Sequence, residues 1–229
     1  MLRKISALVI SVSIAGFIYG RYGYGSGGNS GYFYNMAPYI NSLPYQEISE
    51  AEKQALLHMR EEEKLARDVY RTLYERWELR VFSNIAASEQ RHMDAVKILL
   101  LKYNIEDPVK DDSVGVFSNP EMTKLYEELV AKGLQSPADA LMVGATIEDL
   151  DIYDLQKCLL KVDNTDIVFV FSNLKKGSEN HIRAFTRILK NQYGITYKAQ
   201  YITQEELDLI LSSDSNGPGY GRRRRGGRW

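Results

Sequence analysis

Cysteine is nearly absent: Cys158 is the only one in 229 residues. That excludes an internal disulfide and any thiolate-rich metal site, so stability must come from packing or from a metal held by oxygen and nitrogen. With Leu155 and Leu159 beside it, Cys158 reads as a buried, inert thiol. Proline is scarce, with 6 in the chain, and Pro44, Pro108, Pro120 and Pro137 read as punctuation between elements. Histidine is scarcer still, with 3. The apolar run at 5–19 is short for a membrane span. Net charge is also close to nothing, at −1, but it is unevenly spread. Arg3, Lys4 and Arg21 lie at the start, and Arg222, Arg223, Arg224, Arg225 and Arg228 at the end. Setting aside those eight positive charges turns −1 into −9 for residues 22–217, so the body is acidic and the tail basic.

What is present fits one domain with tails, because the hydrophobic content of 44% suffices for one substantial core. Residues 1–20 have a basic start, an apolar run and a small-x-small site at 13–15, the pattern of a signal peptide. They predict an exported protein, periplasmic, extracellular or at the cell surface, with an uncleaved N-terminal anchor as the alternative. Residues 21–46, rich in Gly and Tyr, read as a flexible leader. Residues 47–212 carry the helical domain, and 213–229 form a Gly/Arg-rich tail. The arginines suit an anionic surface or polymer, and export makes nucleic acid an improbable partner.

Four stretches lay an apolar stripe at alternating steps of three and four, the spacing that keeps one face of a helix toward a core. They run Leu56, Met59, Glu63, Ala66, Tyr70, Leu73, Trp77; then Ile85, Glu89, His92, Val96, Leu99, Tyr103. The third runs Leu141, Ala145, Glu148, Ile152, Leu155, Leu159, Val162, and the fourth Ile167, Phe171, Leu174, Ser178, His181, Phe185, Ile188. Each stripe is interrupted near its middle by a residue able to bind a metal. Buried carboxylates without a partner are very unfavourable. A shared metal layer accounts for all four interruptions at once.

Capping signals set the expected boundaries. Ser49 with Glu52 forms a capping box for a helix reaching about residue 76, and Ser83 or Asn84 caps a second ending near Tyr103. The connection at 105–136 holds a short helix at 120–132 closed by Gly133. Ser136-Pro137 opens a third long helix, 163–165 turns the chain into a fourth ending at Gly194, and 203–211 is a last short helix. Antiparallel neighbours share a layer only if their turn lies midway between the ligands. The midpoint of Glu148 and the 178–181 turn falls near residue 164, on the predicted turn. That of Glu63 and the Glu89/His92 pair falls near residue 77, a few residues before the turn the capping signals suggest.

Glu63-x-x-Ala66-Arg67-x-x-Tyr70 followed by Glu89-x-x-His92 resembles the first two helices of rubrerythrins and other ferritin-like proteins. More closely, EEEKLARDVY, SEQRHMDAVKILL, VGATIEDLDIYDL and the stretch 180–185 resemble a group of prokaryotic ferritin-like proteins defined as a domain of unknown function. The resemblance spans about residues 47–192. It implies an all-α, ferritin-like four-helix bundle with a long crossover between its second and third helices, and a dinuclear iron or manganese site. Carried over, the metal ligands are Glu63, Glu89, His92, Glu148 and His181. Ser178 departs from the pattern, standing where ferritin-like di-iron proteins have glutamate, and Asp151, one turn after Glu148, is the candidate for the missing oxygen. Tyr70, Arg67 and Ser178 are the expected supports of those ligands, with core packing or a surface salt bridge as the alternative for Tyr70 and Arg67.

Oxygen and imidazole donors suit two iron ions or manganese, with zinc a competitor. The implied activity is that of an oxidase, a ferroxidase or a peroxide reductase, with oxygen or peroxide as the small-molecule substrate and a homo-oligomer as one assembly. Two other readings stay open: a non-enzymatic structural or surface module stabilised by one metal, and a metal-free bundle. Glu61, Glu62 and Asp149 are expected to be solvated, and His58, off the stripe, to be a surface residue.

Overall fold

The computed structural model describes residues 36–213. Among these the chain is all-helical, with no strand. Its helices are α1 (Met36–Ser42), α2 (Glu50–Trp77), α3 (Arg80–Lys102), α4 (Pro120–Gly133), α5 (Pro137–Leu159), α6 (Thr165–Tyr193) and α7 (Gln204–Ser212). The export signal, residues 21–35 of the leader and the tail beyond 213 lie outside the described residues. From Met36 the expected leader is ordered into α1, which packs on α3 and buries the side chain of Ile40 in the apolar cluster there.

Local chemistry sets most boundaries. Ser49 and Glu52 exchange the two hydrogen bonds of a capping box at the start of α2. Asn119, Ser136 and Thr203 each accept a backbone N–H at the start of α4, α5 and α7. Gly194 ends α6 in the left-handed region, at φ 68. The start of α3 differs from expectation. It begins at Arg80 behind Leu79, which makes no side-chain cap, and neither Ser83 nor Asn84 is the cap. Glu78, at φ 53, closes α2 by donating its N–H to Tyr74 O, leaving a two-residue turn. The turn sits where the midpoint of the ligands had put it, so packing in register outweighs the missing cap.

Helix α2 packs on α3, α3 on α6, α6 on α5, and α5 back on α2, which closes a ring of four long helices. The crossover between α3 and α5 carries α4, which lies against α2 and α5. The apolar interior falls into two clusters. One contains Leu65, Val69, Tyr70, Phe82, Ile85, Leu141, Ala145, Phe185 and Leu189, and the other Leu56, Met59, Val96, Leu99, Leu155, Ile167, Phe171 and Leu174. On α2, α3 and α6 the boundary between them falls at Glu63, at Glu89 and His92, and at Ser178 and His181. A polar layer thus divides a core whose apolar burial would otherwise run unbroken along the helices.

Candidate metal centre

The six side chains expected to bind metal are all buried: Glu63, Glu89, His92, Glu148, Asp151 and His181. Helix α2 supplies Glu63, α3 supplies Glu89 and His92 one turn apart, α5 supplies Glu148 and Asp151 one turn apart, and α6 supplies His181. Glu89 is the hub. His92 Nδ1 lies 2.7 Å from Glu89 Oε2 and 3.1 Å from Glu63 Oε2. His181 Nδ1 lies 2.8 Å from Glu89 Oε1 and 3.4 Å from Glu148 Oε2. The two imidazoles stack with centroids 5.6 Å apart. Two triads result, Glu63–Glu89–His92 and Glu89–Glu148–His181, and in each the donor atoms lie within 4.8 Å of one another.

Electrostatics follows from burial and crowding. Burial raises the Glu63 carboxyl to about 8, against the pull of His92, and lifts Glu148 to about 7 with help from the charge of Glu89. Burial works the other way on His92, but Glu63 and Glu89 overcome it and hold the imidazole up to about 10. His181 is raised in the same way by Glu89 and Glu148. Burial also opposes ionisation of Glu89, yet His181 and His92 hold that carboxyl far below the usual carboxylate range. No lysine or arginine pairs with these carboxylates among the described residues, so the imidazoles are their countercharge.

The supporting residues divide. Tyr70, wholly buried, donates its hydroxyl to Glu148 Oε1 at 2.6 Å and fixes that carboxyl from the neighbouring helix α2. Ser178 donates to Asp151 Oδ2, so α5 and α6 together place a carboxyl where α6 alone lacks one. Arg67 touches none of the six. It bonds Asp68, Gln90 and Asp112 and anchors the crossover to α2.

Several residues stand elsewhere than expected. Glu61 and Glu62 are buried, and Asp149 is inaccessible. Asn119 N–H donates to Glu61, while Tyr197 Oη and the N–H groups of Gln200 and Ile202 donate to Asp149. The crossover covers Glu61 and the segment after α6 covers Asp149, which helical periodicity cannot show. Cys158 is half-buried rather than buried, though burial pushes its thiol up to about 12, away from the reactive thiolate. His58 is exposed as expected, but it is not solitary: Glu62 and Asp154 face it.

Gly177 was not among the expected site residues. A Cβ there would come within 2.6 Å of His92 Cε1 and Nε2, so the glycine makes room for the imidazole against α6. An isolated glycine inside a strongly periodic helix is the one sequence signal that could have found it.

Two oxygens test whether a metal suits these residues. Glu63 Oε1 and Asp151 Oδ1 are buried with no hydrogen-bond donor. A buried carboxylate oxygen left this way is unfavourable unless a cation occupies its vicinity. With four carboxyls, two imidazoles and no thiolate, the donor set fits one or two divalent first-row ions.

A family model described as an uncharacterized protein domain, DUF2202, matches residues 52–214. The uncharacterized protein MJ0754 of Methanocaldococcus jannaschii is 64% identical over 180 residues, covering 79% of this chain and 97% of the relative. A crystal structure of hypothetical protein MJ0754 from Methanococcus jannaschii superposes with a TM-score of 0.75 at 64% identity, over 76% of this chain and 99% of that one.

Proposed function

The chain belongs to the DUF2202 domain family, and from its buried donor layer we propose a metal-binding, ferritin-like four-helix protein with a dinuclear iron or manganese centre. The observation that carries this reading is the sharing of Glu89 between two triads of donors. Glu63 and His92 would hold one ion, Glu148 and His181 the other, with Glu89 common to both and Asp151 in reserve. The ring of α2, α3, α5 and α6 and the long crossover between α3 and α5 support the ferritin-like assignment.

Such a pair of ions supplies electron transfer to oxygen or peroxide, the chemistry of an oxidase, ferroxidase or peroxide reductase. The chain's own contribution is positional. Tyr70 orients Glu148, Ser178 orients Asp151, and Gly177 lets His92 stand close to α6. The apolar clusters on either side exclude bulk water, which strengthens every charge interaction between them. Export, read from residues 1–20, would place this chemistry outside the cytoplasm. Among the described residues no helix is long and apolar enough to cross a membrane.

One observation favours a second, non-enzymatic reading, in which a single metal or polar layer only stabilises the core. Ser178 replaces a carboxylate, and Asp151 spends one oxygen on that hydroxyl. Elemental analysis of protein from its native compartment separates the two. Two irons per chain, with oxygen or peroxide turnover lost in Glu89→Ala, supports the enzyme; a single inert zinc sinks it.

A further inference from the structure

Outside the central layer one more set of metal-binding groups converges among the described residues: His58 and Glu62, one turn apart on α2, and Asp154 on α5. Their donor atoms lie within 4.8 Å of one another. His58 Nε2 stands 3.3 Å from Glu62 Oε2 and 3.9 Å from Asp154 Oδ2. The set is graded from solvent inward, with side chains 44%, 25% and 5% exposed at His58, Asp154 and Glu62. Glu62 Oε2 is buried and accepts no hydrogen bond. No lysine or arginine pairs with Glu62 or Asp154 among the described residues, so one imidazole faces two carboxyls. A buried carboxylate oxygen that faces an imidazole at 3.3 Å without hydrogen-bond geometry is an arrangement a cation between the two would complete.

This set adjoins the central layer. Glu62 precedes Glu63, and Asp154 lies one turn beyond Asp151 on α5.

We propose that His58, Glu62 and Asp154 form an outer, solvent-reachable site for a divalent first-row transition-metal cation, from which the buried centre is loaded. The loading role rests on the dinuclear reading of that centre; the outer site does not. One imidazole with two carboxylates suits iron(II), manganese(II), cobalt(II) or zinc, whereas calcium and magnesium take oxygen ligands and water. The exposed imidazole meets the hydrated ion, and Glu62 replaces its water from inside. Splitting dehydration into two stages lowers the barrier to entering a layer closed by apolar clusters. The acidic body draws cations toward such a mouth.

Rapid mixing of the metal-free full chain with cobalt(II) tests this, with absorption reporting uptake and ligand number. The expected result is one equivalent fewer in His58→Ala and in Asp154→Asn than in the wild type, with the inner ions filling about tenfold or more slowly. Both variants change partly exposed side chains, and unchanged circular dichroism verifies their fold. Equal stoichiometry in wild type and variants, or an unchanged filling rate, overturns the proposal. Glu89→Gln separates the two readings. If the wild type binds a single equivalent that survives Glu89→Gln and disappears in His58→Ala, the buried centre and the loading role fall while the outer site stands. If two equivalents bind and survive both outer variants, the outer site falls and the buried centre stands.

Discussion

Replacing Tyr70 with phenylalanine removes one hydroxyl and almost no volume. The ring stays packed on Phe185 and Phe82, at centroid separations of 5.3 and 6.1 Å, so no cavity opens. What disappears is the 2.6 Å hydrogen bond to Glu148 Oε1. Its magnitude depends on the protonation of Glu148, whose carboxyl burial lifts to about 7. A carboxyl whose folded pKa stands above its unfolded value favours the fold at low pH, and that contribution is lost as pH rises through the folded value. Below pH 7 Glu148 is neutral, and the missing bond costs about 0.5–1.5 kcal/mol; above it the bond is to a carboxylate and costs about 1.5–3 kcal/mol. Urea unfolding of the metal-free protein should therefore show a Tyr70→Phe penalty that grows between pH 6 and pH 8. Manganese(II) affinity should fall about 10- to 100-fold, the usual effect of losing a group that orients a ligand. Tyr197→Phe is the control. Tyr197 donates to Asp149 Oδ2 at 2.7 Å, but Asp149 lies outside the layer and keeps backbone donors. A Tyr70→Phe protein whose penalty is flat with pH, and whose manganese affinity matches that of Tyr197→Phe, refutes the role assigned to this hydroxyl.

Three further outcomes are expected. Gly177→Ala should destabilise the metal-free protein by about 1–2 kcal/mol in urea unfolding, since crowding His92 outweighs the better helix propensity of alanine; a more stable variant would show that the imidazole moves aside freely. Asp151→Asn keeps a partner for the Ser178 hydroxyl but removes the anionic oxygen, so isothermal titration with manganese(II) should show weaker binding while circular dichroism stays unchanged; equal affinity would show that Asp151 is no ligand. The metal-free protein should lose stability from about pH 5 to pH 10 in calorimetry, through Glu63 first and His92 last. Glu63, raised to about 8, and His92, raised to about 10, both stabilise the fold below their unfolded pKa values, and both contributions fade as pH rises through the folded ones. Glu89, held low, acts oppositely and loses its contribution only in acid. Bound metal, which requires deprotonated ligands, should flatten that decline.

Much of the fold was legible because its determinants are local or periodic. The capping box at Ser49 and Glu52, the Ser136-Pro137 start and the Gly194 stop are short-range chemistry and appear where expected. The start of α3 was not legible from caps, because a two-residue turn held by packing needs none. The donor residues of the central layer were legible as interruptions of apolar stripes, since a helix cannot turn one position of a buried face outward. The buried state of Glu61 and Asp149 was not, because segments distant in sequence cover them, and that of Glu62 was not, because it faces Asp154 of another helix.

By itself the sequence determined that the domain is helical, that Glu63, Glu89, His92, Glu148 and His181 point inward, and that no thiolate joins them. The reason is geometric: a period of 3.6 residues assigns each side chain to a face before any partner is known. Only the tertiary structure decided who meets whom. The rotation and offset of helices set Glu89 between both imidazoles, brought the Tyr70 hydroxyl of α2 onto Glu148 of α5, and gave Asp151 the hydroxyl of Ser178. It also gathered His58, Glu62 and Asp154 at the rim, a constellation across two helices that no spacing within one helix encodes.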